Sequence, residues 1–151
     1  MKDIASKLIN LFKQGYCTPQ IARIARKLRE PSTTIHYNIK KLEREGKIVT
    51  YGAIFDYKKI GYGYCVYVFA NLKPEKYDNP EEITAKIAKD PYVESIDICS
   101  GEHELVLKLR TRDVDEYYEW VKKSIKLYGF SKIISLTSLK QVKDGFVEVG
   151  N

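Results

Sequence analysis

Residues 18–46 read TPQIARIARKLREPSTTIHYNIKKLEREG, and the way this stretch divides decides the N-terminal fold. Thr18 offers a capping hydroxyl and Pro19 suits a first helical position, which predicts a short second helix with Ile21, Ala25 and Leu28 on its buried stripe. Arg29, Glu30 and Pro31 break it. Ser32 then caps a third helix with Ile35, Ile39 and Leu42 inside, and Gly46 ends it in the left-handed conformation that glycine tolerates. Upstream, Ile4, Leu8, Leu11 and Phe12 recur at helical spacing, so a first helix is predicted over residues 3–14, from Asp3 to the Gly15 stop. Downstream, residues 47–55 are β-rich and predict a strand or wing beside the third helix. Residues 1–50 therefore read as a (winged) helix-turn-helix.

At about 100° per residue, the side of the third helix opposite Ile35, Ile39 and Leu42 carries Thr33, Thr34, Tyr37, Lys40, Lys41 and Arg44, flanked by His36 and Asn38. Glu43 and Glu45 fall to the sides of that face. Hydroxyls lie near the helix N-terminus, where a recognition helix meets base edges, and cations lie further along, where the phosphate backbone passes. The charge distribution agrees. Residues 1–50 hold 11 Lys and Arg against 4 Asp and Glu, whereas the remainder of the chain holds 15 against 16. A positive block confined to one folded segment is the footprint of a module that neutralises DNA phosphates, although an ordinary solvated basic face carries the same charge.

Cys17, Cys65 and Cys99 are odd in number and form no C-x-x-C pair, which points to reduced thiols rather than disulfides or zinc. His36 has no neighbouring ligand, so no metal and no cofactor are expected. No apolar run approaches the ~20 residues of a membrane span, and no signal-like segment opens the sequence. A soluble, cytoplasmic protein without membrane contact is the expectation.

Beyond the basic block, residues 62–73 alternate as a strand, with Val66, Val68, Ala70 and Leu72 on one face and Cys65, Tyr67 and Phe69 on the other. Asn79 and Pro80 open a helix with Ile83, Ile87 and Ala88 inside, closed by Asp90 and Pro91. Residues 93–99 form a strand, Ser100, Gly101, Glu102 and His103 turn the chain, and residues 104–111 return with Leu105, Leu107 and Leu109 alternating. Val114, Tyr117, Tyr118, Val121 and Ile125 mark a last helix ending near Gly129, before a final strand over residues 131–142. The order βαββαβ predicts an α+β, ferredoxin-like domain over residues 62–151, joined by a hinge over residues 51–61. Tyr67, Phe69, Val106 and Ile98 are expected on its uncovered sheet face, where they would pair with another subunit.

Several local patterns resemble the Lrp/AsnC family of regulators, also called feast/famine regulatory proteins. The run from Lys41 through Leu42, Glu43, Arg44, Glu45, Gly46 and Lys47 to Ile48, followed by Tyr51, Ala53, Asp56 and Gly61, resembles the family's stretch leaving the recognition helix. Ser100-Gly101-Glu102-His103-Glu104 resembles its threonine-glycine-x-x-aspartate turn, and the run from Ser138 to Asp144 resembles its last strand. The lysine-, isoleucine-, tyrosine- and glutamate-rich composition suits a thermophilic, archaeal member. The resemblance implies a DNA-binding transcriptional regulator and not an enzyme, dimeric through its α+β domain and often assembled to tetramers or octamers. It also implies an amino acid or related metabolite held between subunits near the turn, where Gly101, Glu102, His103 and Glu104, with Ser135 opposite, would bind it.

Two other readings share the two-module shape. A nucleoid-type architectural protein would use the same basic module without sequence preference. Siroheme decarboxylases have a similar outline and work with histidine and arginine around a tetrapyrrole. Here only His36 and His103 exist, one on the basic helix and one in the turn, and no second acid/base or nucleophilic partner is recognisable.

Overall fold

The computed structural model describes residues 4–143, so that Asp3 and Asp144, named above, lie outside the described residues. The chain divides into two compact units, Met1–Ile54 and Phe55–Asn151.

The first unit holds α1 (Ile4–Lys13), α2 (Ile21–Leu28) and α3 (Ser32–Arg44). Each helix departs slightly from the sequence reading. Gln20 rather than Thr18 stands at the α2 N-cap, in non-helical backbone and without a side-chain cap, so the helix starts later than Pro19 suggests. Pro31 takes the α3 N-cap, leaving Ser32 as the first helical residue. Its fixed φ near −59° is compatible with both the preceding turn and the helix that follows. α2 and α3 pack together, and Ala25 and Ile35 are their buried residues. Leu28 on α2 and Ile4, Leu8 and Leu11 on α1 are exposed instead of buried, and the half-buried apolar residues of α1 are Ile9 and Phe12. Arg29 ends α2 in the left-handed region at φ 56°, its turn closed by the Glu30 N–H donating to the Ala25 carbonyl at 3.0 Å. Gly46, at φ 67°, ends α3 as expected. Residues 47–55 contain no strand; the Lys47 and Ile48 N–H groups donate to the Leu42 carbonyl at the end of α3 rather than to a neighbouring strand. The expected wing is therefore an extended segment whose Tyr51 packs back toward α3.

The second unit runs β1 (Tyr64–Leu72), a 3-10 turn at Pro74–Lys76, α4 (Pro80–Ile87), β2 (Val93–Ile98), β3 (Leu105–Thr111), α5 (Val114–Tyr128) and β4 (Phe130–Thr137). The strands form one antiparallel sheet in the order β2-β3-β1-β4. This is the ferredoxin-like α+β arrangement. Val66, Val68, Ala70, Leu72, Leu105, Leu107 and Leu109 point from the sheet toward Ile83, Ile87, Tyr117, Trp120 and Tyr128 of the two helices, and all are buried. Asn79 caps α4 by accepting from the Glu82 N–H, with Pro80 next, and Asp113 caps α5 by accepting from the Glu116 N–H.

The inward row of α5 is Tyr117, Trp120, Ser124 and Tyr128, while Val114, Tyr118 and Ile125 are exposed. Two members of this row are held by Asp90. One of its carboxylate oxygens accepts from Trp120 Nε1 at 2.8 Å and from the Tyr128 hydroxyl at 2.9 Å, and the other from the Tyr92 N–H at 3.0 Å. Burial together with this carboxylate pushes the Tyr128 phenol up to about 12. Ala88 lies outside the buried row of α4. The last strand ends at Thr137, earlier than predicted, with one further backbone bond from the Ser138 N–H to the Cys65 carbonyl.

Register decides the uncovered face. Phe69 pairs with Val106 and Ile134, and Tyr67 with Lys108 and Leu136, which places Tyr67, Phe69, Val106, Ile134 and Leu136 together on the side away from the helices. Ile98 does not join them, because it pairs with the buried Leu105 and so shares the helix side. Glu94 lies on the uncovered face and bridges Lys108 at 2.8 Å and Arg110 at 2.6 Å. The two cations hold its carboxyl below the usual range even though burial acts the other way.

Candidate functional site

Thr33, Thr34, His36, Tyr37, Asn38, Lys40, Lys41 and Arg44 are all exposed on α3, so the helix presents the row expected of it. Its electrostatics differ from the expectation. Glu43 is not set aside from the row, since its carboxylate takes Lys40 Nζ at 2.7 Å and the Tyr51 hydroxyl at 3.0 Å. The hydrogen bond to Glu43 raises the Lys40 ammonium and lowers the Glu43 carboxyl. Glu45 similarly sits 3.9 Å from Lys41 and 2.6 Å from Lys47. Asn38 spends its amide on the Thr34 carbonyl. Arg44 has no ion-pair partner among the described residues.

The larger uncompensated charge lies on α2. Arg23, Arg26 and Lys27 are exposed at i, i+3 and i+4, Arg29 follows, and none forms an ion pair among the described residues. The sequence reading left these four out of the candidate site. The signal for them is the charge of the first fifty residues, with Arg23 and Lys27 on the face opposite Ala25 and Arg26 to its side. Between the start of α2 and the first half of α3 lies a shallow concavity of about 470 Å³, lined by Ile21, Ser32, Thr33, His36, Tyr37 and Lys40, and its surface is almost wholly carbon.

At the β2–β3 turn the structure gathers Gly101, Glu102, His103 and Glu104 against the end of β1. Gly101 has φ 123°, a conformation L side chains avoid. Asn71 was not expected at this site, yet it organises it. Its amide donates to the Glu102 carbonyl at 2.6 Å and its oxygen accepts from His103 Nδ1 at 2.8 Å, and the imidazole rests against the Phe69 ring. The Glu104 carboxylate accepts from the Leu72 N–H at 3.0 Å, and Lys132 Nζ donates to Glu102 at 3.2 Å. A polar residue interrupting the apolar run VYVFANL was the available sign of Asn71.

Ser135 does not belong to this group. It pairs with Val68, whose side chain enters the helix-covered core, and its hydroxyl is hydrogen-bonded to Tyr117 of α5. His103 lies over Phe69 on the other side of the sheet, so Ser135 cannot face the turn.

Among the described residues no group of three or more His, Cys, Asp and Glu is arranged to hold a metal ion, and no helix is long and apolar enough to cross a membrane. Cys17, Cys65 and Cys99 are free thiols.

Comparison with known proteins bears on both modules. Residues 65–147 match the model of the Lrp/AsnC ligand binding domain. An uncharacterised HTH-type transcriptional regulator of Pyrococcus furiosus is 30% identical over 125 residues, covering 82% of this chain and 83% of that protein. In fold, the chain is similar to an AsnC family transcriptional regulator from Agrobacterium tumefaciens, with TM-score 0.77 and 19% identity over 99% of this chain and 97% of that one. It is also similar to a transcriptional regulator of Neisseria meningitidis solved as a complex with L-Met, with TM-score 0.74 and 20% identity over 91% and 88% of the two chains.

Proposed function

This chain belongs to the Lrp/AsnC family of HTH-type transcriptional regulators, and from that premise we propose that it binds specific double-stranded DNA as a homodimer or a tetramer or octamer of such dimers. The observation that carries the reading is the exposed α3 row of Thr33, Thr34, His36, Tyr37, Asn38, Lys40, Lys41 and Arg44 in the most basic part of the chain. In this reading residues 1–50 form the DNA-binding domain and α3 lies in the major groove. The unpaired α2 cations Arg23, Arg26, Lys27 and Arg29 meet the phosphates, as the first helix of a helix-turn-helix crosses the backbone. Residues 51–61 act as the hinge, and residues 62–151 assemble subunits through Tyr67, Phe69, Val106, Ile134 and Leu136. The site of action is the cytoplasm, where the DNA is, and no catalysis is involved.

The turn at Gly101, Glu102, His103 and Glu104, with Asn71 and Lys132, is the proposed effector site for an amino acid or related metabolite. The turn supplies carboxylates for an ammonium group, and Lys132 supplies a donor for a carboxylate. The L-Met bound by the Neisseria meningitidis regulator supports an amino acid as the class.

Selection of bound duplexes from genomic fragments by the full chain at physiological salt tests the DNA reading. Enrichment of a short, roughly palindromic site at least ~10³-fold above bulk DNA is expected. Uniform retention would replace the regulator by a nucleoid-type architectural protein, and no retention would remove the DNA reading altogether.

A further inference from the structure

The concavity at the head of α3 is the feature least suited to the polar surface around it. Ile21 is half-buried at its wall, Tyr37 is 61% exposed at its rim, and Thr33, His36 and Lys40 continue the same i, i+3, i+4, i+7 row. A solvent-facing helix in a basic module has no folding reason to keep a carbon-lined hollow there, since α2 and α3 already pack together with Ala25 and Ile35 buried. Beside the hollow, Lys40 is exposed on α3 with its ammonium on Glu43, Arg44 follows on the same helix, and Arg23, Arg26 and Lys27 stand on the adjoining helix. That charge favours a duplex as the occupant and draws its backbone to either side of the hollow. Within the major groove every base edge offers donors or acceptors, and the one apolar projection is the 5-methyl group of thymine. A guanine or cytosine edge seated against carbon would lose its water without gaining a partner, which is costly.

We infer that this hollow, walled by Ile21 and Tyr37, is a thymine-methyl subsite that sets the sequence preference of α3. The inference rests on the DNA-binding reading and adds the base class to it. Thr33 and His36 at the margin satisfy the polar atoms of the same or the neighbouring pair, and Lys40 exchanges Glu43 for a phosphate on binding.

The test uses the full-length chain and a duplex chosen by the selection described above. Each thymine of a half-site is replaced in turn by deoxyuridine, which removes the methyl group and keeps every hydrogen-bonding atom. At one or two positions per half-site affinity is expected to fall roughly fourfold per methyl, the effect of one buried carbon. Tyr37→Ala should abolish that difference, so that thymine and deoxyuridine duplexes bind alike, while Tyr37→Phe, which keeps the ring, should preserve it. A specific duplex for which every deoxyuridine replacement changes affinity by less than about 1.5-fold overturns the subsite and leaves the DNA reading standing. A Tyr37→Ala protein whose assembly mass changes while its methyl sensitivity persists also overturns it, and makes the hollow a contact between proteins. If no duplex is selected at all, the failure lies in the DNA reading, and the subsite falls with it.

Discussion

Replacing Arg23, Arg26 and Lys27 together with alanine should flatten the salt dependence of DNA binding more than any change on α3. Each cation held against a phosphate releases condensed counterions and contributes about 0.9 to the slope of log affinity against log salt. Three such contacts amount to about 2.7 per protomer, and between 50 and 200 mM salt that slope corresponds to roughly 40-fold in affinity. These side chains are exposed and have no ion pair among the described residues, so they reach a phosphate without surrendering an internal partner. Lys40 must first give up Glu43, and its contribution to the slope should be smaller than about 0.9. The assay is fluorescence anisotropy on one duplex across a salt series, with circular dichroism melts as the control. Alanine is the strongest helix former and the three positions are exposed, so the melting temperature should hold. A folded variant with an unchanged slope would refute the assignment of α2 to the phosphate backbone.

Asp90→Ala strips the acceptor from Trp120 Nε1 and the Tyr128 hydroxyl, both in residues at most 6% exposed, and should destabilise the second unit by about 3–5 kcal/mol in denaturant titrations followed by the fluorescence of Trp120. Tyr128 also sets an alkaline limit. Its folded phenol is raised to about 12 from an ordinary 10.0, so its contribution is whole below pH 10 and is lost as pH rises toward 12. A fall on the order of 2 kcal/mol in that window is expected, and Tyr128→Phe should lack it. Arg29→Gly should raise stability by about 1 kcal/mol by relieving a left-handed non-glycine residue, even as it removes a cation from the DNA face; a lower melting temperature would contradict this. Leu136→Asp places a charge on the uncovered sheet face and should shift the light-scattering mass toward the monomer, whereas an unchanged mass would show that this face does not assemble subunits.

Much of this protein is determined by short-range patterns that the sequence carries alone. Alternation over residues 62–73 and 104–111 specifies two strands, Asn79 with Pro80 specifies where α4 begins, and Gly46 and Gly129 specify where α3 and α5 stop, because each signal acts within a few residues of backbone. The order βαββαβ and the exposed α3 row follow from these. What only the tertiary structure decided depends on partners distant in sequence. Alternation says which residues of a strand share a face, but not which face the helices cover or how one strand's parity meets its neighbour's. The pairing of Val68 with Ser135 therefore puts Ser135 against Tyr117 and away from the turn, and the pairing of Leu105 with Ile98 removes Ile98 from the assembly face. The same holds for side chains that respond to one long-range contact. Asp90 holds the Trp120 indole thirty residues away, and Asn71 reaches across from β1 to brace a turn 31 residues later. A hydrogen bond of this kind is set by where two backbones pass in space, and no local periodicity encodes that position.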